Sequence, residues 1–120
     1  YLPMEGHAGY RAGVQRLVFG ADHPAVSQGR VVTVQTLGGT GAVSLAADFL
    51  AKHCPGRPVY VSDPTWENHH GLFQRAGFST TTYPYFDPAT RGVAFAGLTA
   101  TLDAAPEGSI VVLQPVCHNP

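Results

Sequence analysis

Charge is what this sequence has least of. Of its 120 residues 12% are charged, with seven Lys and Arg against eight Asp and Glu and a formal net charge of −1. A typical soluble domain carries about 25%. A chain this close to neutral has no electrostatic footprint for nucleic acid. Lysine occurs once, at Lys52. No apolar run reaches the roughly 18 residues of a membrane span, and no signal peptide is visible. The two cysteines, Cys54 and Cys117, have no short CxxC spacing. They read as free buried thiols in a reducing, cytoplasmic setting rather than as a disulfide framework. Internal repeats and low-complexity segments are absent.

The chain is instead rich in apolar residues (44%) and in glycine and proline, 14 and 10 of them, one residue in five. That composition argues against disorder and gives one domain enough apolar surface for a core. Both ends look cut: the chain starts at Tyr1 and stops on His118-Asn119-Pro120 straight after an apolar run. The expectation is a piece of a larger protein, truncated at both ends, with much of its surface normally covered.

Strand and helix signals alternate. Val14, Leu17 and Val18 mark a helix over Gly9–Phe19, ended by Gly20-Ala21-Asp22-His23-Pro24. Val31–Leu37 is β-branched and bounded by glycines, the pattern of a buried strand. Gly41–His53 is apolar on nearly every side, a helix expected to be packed all round. Pro58–Ser62 reads as the second strand. Trp66–Ala76 follows as a helix with Thr65 as N-cap and Gly77 past its end. Phe78–Tyr83 is a third strand and 87–92 a loop. Phe95, Leu98 and Leu102 mark a fourth helix, and Ile110–Leu113 a fourth strand. This alternation implies an α/β fold, three layers with a mostly parallel sheet between helices.

Ligands of open parallel sheets bind beyond the carboxyl ends of the strands. Three segments lie there. Gly38-Gly39-Thr40-Gly41 lets the backbone approach a ligand and presents a helix N-terminus suited to phosphate, with a hydroxyl from Thr40. It lacks the Lys-Ser/Thr of a Walker loop, and Ser44 stands where a dinucleotide fingerprint has Gly or Ala. A tight strand-to-helix turn explains it equally well. Asp63-Pro64-Thr65-Trp66-Glu67-Asn68-His69-His70 holds the only Trp, which either stacks on a planar ligand or fills the core. His69 and His70 diverge by about 100° on a helix and cannot share a metal, and no other His has a partner at ligand spacing. No metal site is expected. Gln114-Pro115-Val116-Cys117-His118-Asn119-Pro120 ends with an extended Asn whose amide reaches a ligand or simply makes a turn.

Together, Tyr1-Leu2-Pro3-Met4-Glu5-Gly6, Leu37-Gly38-Gly39-Thr40-Gly41-Ala42, Ser62-Asp63-Pro64-Thr65-Trp66-Glu67-Asn68-His69 and Cys117-His118-Asn119-Pro120 resemble the aspartate and aromatic amino acid aminotransferases. These are fold-type I, pyridoxal-phosphate enzymes. The likeness covers essentially the whole chain and is nearest to bacterial members that accept aromatic as well as dicarboxylic substrates.

The resemblance implies roles. Gly39 and Thr40 would bind the cofactor phosphate, with Gly38 where many relatives carry Ser. Trp66 would stack on the pyridine ring and touch a substrate carboxylate. His69 would orient the Asp that pairs with the pyridinium nitrogen. Asn119 would bond the phenolic oxygen and help hold the substrate α-carboxylate. Tyr1 would reach the phosphate of the other subunit in a homodimer. Gln114 stands where the family usually has His, and it cannot titrate near neutral pH. The Schiff-base Lys, the Asp and the substrate-binding Arg residues would lie outside this chain, so no catalytic residue is expected within it. The second, third and fourth strands would be neighbours, leaving Val31–Leu37 without a partner and open along both edges. Two other readings remain: a nucleotide-binding α/β domain, on Gly39-Thr40-Gly41, and a piece that serves only folding or interaction.

Overall fold

The structure, a computed structural model, describes residues 1–114, 118 and 119. Two compact units divide the chain, Tyr1–Ala42 and Val43–Pro120.

The first unit carries α1 (Ala8–Phe19), the four-residue α2 (Pro24–Ser27) and the opening turn of α3 (Gly38–His53). Two histidines start the first two helices. His7 Nδ1 accepts from the Tyr10 N–H at 3.3 Å, and His23 Nδ1 accepts from the Ala25 N–H at 3.1 Å. These ring nitrogens do the work usually left to Ser, Thr or Asp side chains. Gly20, at φ 85, ends α1 and returns its N–H to Arg16 O at 2.9 Å.

The strand expected over Val31–Leu37 does not form: the segment joins no ladder among the described residues. Its contacts are isolated, with Gln35 N–H on Glu5 O at 3.0 Å and Gln15 Nε2 on Val31 O at 3.5 Å. Val32 and Leu37 are exposed. A β-branched run becomes a strand only where a neighbour supplies pairing, and none of the described strands does.

Helix α3 begins at Gly38, three residues before the expected Gly41, so Gly38, Gly39 and Thr40 form its first turn. Gly38 at φ 64 makes the bend into the helix, a conformation glycine adopts without penalty. Lys52 and His53 in the last turn complement the helix dipole. The helix is not packed all round. Ala47 is buried, while Leu45 and Phe49 are exposed.

The second unit is built on a parallel sheet in the order β2-β1-β5: β1 (Val59–Asp63), β2 (Thr80–Pro84) and β5 (Ile110–Val111). The expected adjacency of the three later strands is therefore present. Val59 pairs with Thr80 on one side and Ile110 on the other. Val59 and Val61 point into a core with Ala47, Phe73 and Phe78, flanked by Val43, Leu50, Ile110 and Val112. Phe73 and Phe78 meet edge to face at 6.0 Å. β5 is shorter than the expected Ile110–Leu113, and Leu113 is exposed.

Helix α4 spans Asn68–Arg75 and starts two residues later than expected. Thr65 is not its N-cap. Glu67 holds that position with no side-chain cap, because the Thr65 hydroxyl is spent on the His69 ring. Gly77, at φ 91, closes the helix as expected, with its N–H on Gln74 O and the Phe78 N–H on Phe73 O. The expected loop at 87–92 is tightened into a hairpin between β3 (Phe86–Asp87) and β4 (Gly92–Val93). Asp87 accepts from the Thr90 hydroxyl and the Ala89 N–H, which hold its carboxyl below the usual range. Helix α5 (Phe95–Asp103) then packs on β2 through Gly97 and Pro84. No helix among the described residues is long and apolar enough to cross a membrane.

Candidate functional site

The carboxyl end of β1 leads into Trp66 and His69, two of the side chains that the sequence singled out. Alternation along the strand buries Val59 and Val61, and Ser62 is buried beside them although it is polar. A buried hydroxyl needs a partner. Ser62 Oγ lies 2.9 Å from His118 Nε2. The His118 ring stacks on Tyr85, with centroids 4.0 Å apart and planes within 11°. Asn119, exposed, is the next residue along the chain.

The chain then turns through the cis Asp63–Pro64 peptide. Thr65 Oγ1 sits 2.7 Å from His69 Nδ1, and Trp66 meets the same imidazole edge-on, 5.3 Å away at 88°. His69 is 3% exposed. Burial, with the neighbouring His70 and then His118, pushes its pKa below the ordinary value near 6.5. It is therefore a neutral imidazole at neutral pH, with one nitrogen fixed by Thr65. His70 points elsewhere, with Nδ1 2.8 Å from the Thr80 hydroxyl on β2. The two adjacent histidines diverge as their helical spacing requires. Among the described residues no group of three or more His, Cys, Asp or Glu is gathered as for a metal ion.

Tyr83 backs this cluster from β2. It is 1% exposed and donates its hydroxyl to Val112 O at 2.7 Å. Burial raises its pKa, and the cross-strand Ser62 opposes that rise. Gln114 Oε1 is buried without a hydrogen-bond partner among the described residues.

At the start of α3, Gly38, Gly39 and Thr40 are exposed, and nothing lies within 4 Å of where a Cβ on either glycine would stand. The free N–H groups of this first turn are open to an anion. Tyr1 is fully exposed. Lys52 is exposed in the last turn of α3. Cys54 is a free thiol. Cys117, Pro120 and the rest of the 115–117 segment lie outside the described residues.

Sequence reading named Trp66 and His69 within one segment, without a contact between them, and treated Thr65 only as a cap. It assigned no role to Ser62, Tyr83, Tyr85 or His118. The available signal was a lone serine in an otherwise apolar strand, followed across the fold by a histidine at the next strand end.

The indole against a buried neutral imidazole and the exposed amide, both in the second unit, are of the right chemistry for an aromatic cofactor. The open N-terminus of α3, in the first unit, is by itself of the right chemistry for a phosphate. A family model, aminotransferase class I and II, matches residues 1–120. The chain belongs to that family. Over all 120 residues it is 57% identical to the aromatic-amino-acid aminotransferase of Escherichia coli K12 and 53% identical to the tyrosine aminotransferase of Klebsiella pneumoniae. It covers 30% of each. Among solved structures, it matches an aromatic amino acid aminotransferase from Burkholderia cenocepacia with a TM-score of 0.83 at 57% identity. That match takes in all of this chain and 30% of the other. A Burkholderia pseudomallei aromatic-amino-acid aminotransferase, solved covalently bound to pyridoxal phosphate, matches at 0.82 and 52%, with the same coverage. This aminotransferase chain thus has the α/β fold of the fold-type I enzymes and spans about 30% of the length of the curated relatives it matches. The nucleotide-binding alternative finds no support among these relatives.

Proposed function

We propose that these 120 residues are part of the cofactor-binding large domain of a pyridoxal-phosphate-dependent aminotransferase. The parent enzyme transfers an amino group between an aromatic or dicarboxylic amino acid and a 2-oxo acid. The observation that carries this reading is the Trp66–His69 pair at the carboxyl end of β1, in a chain that matches the family over its whole length. Aromatic and aspartate enzymes stand side by side among its relatives, which supports both substrate classes.

The N–H groups of the first turn of α3 and the Thr40 hydroxyl bind the cofactor phosphate, with Gly38 and Gly39 letting the backbone approach. Trp66 stacks on the pyridine ring and offers its indole N–H to a substrate carboxylate. When bound, the ring supplies an electron sink for charge that develops on the substrate α-carbon. His69, held by Thr65, orients the acidic partner of the ring nitrogen and stays uncharged while doing so. Asn119 donates its amide to the phenolic oxygen and helps hold the substrate α-carboxylate. Gln114 would offer the bound cofactor a hydrogen-bonding group that exchanges no proton near neutral pH. Tyr1 reaches the phosphate held by a second subunit, which makes the enzyme a homodimer with shared sites. The free Cys54 suits a cytoplasmic setting. The lysine that anchors the cofactor and the arginines that select substrates are assigned outside these residues, so the 120 residues alone are inactive.

The test is steady-state transamination by the full-length enzyme with aspartate and with tyrosine, each with a 2-oxo acid. Turnover of either donor is expected, and Trp66→Leu should weaken pyridoxal phosphate about tenfold, the size of one aromatic stacking contact. Absence of turnover with every amino donor tried would refute the reading.

A further inference from the structure

His118 makes two contacts that an ordinary turn residue does not need. Its Nε2 is 2.9 Å from the buried Ser62 hydroxyl, and its ring lies flat on Tyr85 at 4.0 Å. Tyr83, the cross-strand partner of Ser62, gives its hydroxyl hydrogen to Val112 O. Ser62 Oγ and His118 Nε2 share one hydrogen bond beside it. Three strands enter the arrangement: β1 through Ser62, β2 through Tyr83, and the residue after β5 through Val112. The hydrogen bond holds one edge of the ring and the stack covers its face.

We infer that His118 is a positioning residue, which the Ser62 hydroxyl and the Tyr85 ring hold in place so that the adjacent Asn119 presents its amide at the carboxyl end of β1. The inference rests on the assignment of Asn119 to the cofactor's phenolic oxygen. Asn119 is itself exposed, and nothing else described anchors it. A short polar side chain on an unanchored backbone would lose orientation before it lost contact, and small misplacements of a binding group are costly. An anchor one residue away, made of a hydrogen bond and a stacked ring, removes that freedom.

The experiment uses the full-length holoenzyme and the variants His118→Phe, Ser62→Ala and Tyr85→Leu. The readouts are the dissociation constant of pyridoxal phosphate and the pH midpoint of the cofactor's absorbance change. An amide donated to the phenolic oxygen favours its ionised form, so loosening Asn119 moves that midpoint upward. His118→Phe keeps a ring to stack but loses the hydrogen bond, and Ser62→Ala removes the hydroxyl that His118 meets. Each should raise the midpoint and weaken the cofactor by about tenfold, one hydrogen bond's worth. In an Asn119→Ala background the same substitutions should leave the midpoint where Asn119→Ala has put it, because their effect passes through that side chain. Phe73→Leu, a core change on α4, is the stability control: it should lower Tm and leave the midpoint alone.

A wild-type midpoint in both Ser62→Ala and His118→Phe overturns the inference while leaving the cofactor assignment standing. An equal shift with and without Asn119 overturns it as well. A full-length protein that takes up no pyridoxal phosphate overturns both.

Discussion

A buried imidazole with a hydroxyl on one nitrogen and an indole at its edge has little reason to take a proton. His69 is such a group, and its lowered pKa has a consequence for stability. The unfolded chain binds a proton at this residue near pH 6.5, whereas the folded chain resists it until a lower pH. Between those two values the unfolded state holds more protons, so stability falls as pH falls through that window and is complete above it. Urea midpoints of the full-length apoprotein should fall across this window as the pH is lowered, and His69→Gln should flatten that fall. At this scale the sequence was partly legible. Trp66 and His69 belong to one compact motif and were found. Thr65 was misjudged because its hydroxyl can serve a backbone N–H or a side chain, and only the fold decides which. Ser62 and His118 are 56 residues apart, and no local pattern pairs them.

Elements were read well where their signals are local and poorly where they depend on neighbours. Gly77 closes α4 at φ 91, as its place after an apolar helix face suggested. Gly77→Ala should therefore cost about 1 kcal/mol. Gly71 lies within α4, is exposed, and has nothing within 4 Å of a Cβ position. Gly71→Ala should instead gain about 0.5–1 kcal/mol. The opposite signs of these two changes in thermal denaturation check the helix end directly. Phe73, 3% exposed in the core, should cost about 3–5 kcal/mol on truncation to Ala, read from a shifted denaturant midpoint. Val31–Leu37 shows the other case. Its composition is that of a strand, but pairing is a property of the sheet, and the described strands β2, β1 and β5 leave it none.

For the whole molecule, low charge and exposed apolar side chains belong together. Leu17, Val32, Leu37 and Phe49 are all more than half exposed, on a chain with 12% charged residues. Under the proposal they are covered by the remainder of the large domain and by a second subunit. Sedimentation should show the 120 residues alone associating, with apolar dye bound, and the full-length protein as a discrete homodimer without it. The parallel sheet was legible because strand and helix signals alternate, whereas the adjacency of its strands came only from the family resemblance. The division of the chain into two units was not, since no linker composition marks Ala42 and the boundary falls within a helix.

The decisive observation is the absorption spectrum of the full-length protein loaded with pyridoxal phosphate. Adding aspartate or tyrosine alone should shift the cofactor band as the amino group is taken up, and adding a 2-oxo acid should restore it. A band that fails to move with any amino donor, or a protein that never acquires one, would contradict the assignment of this chain to the cofactor site of an aminotransferase.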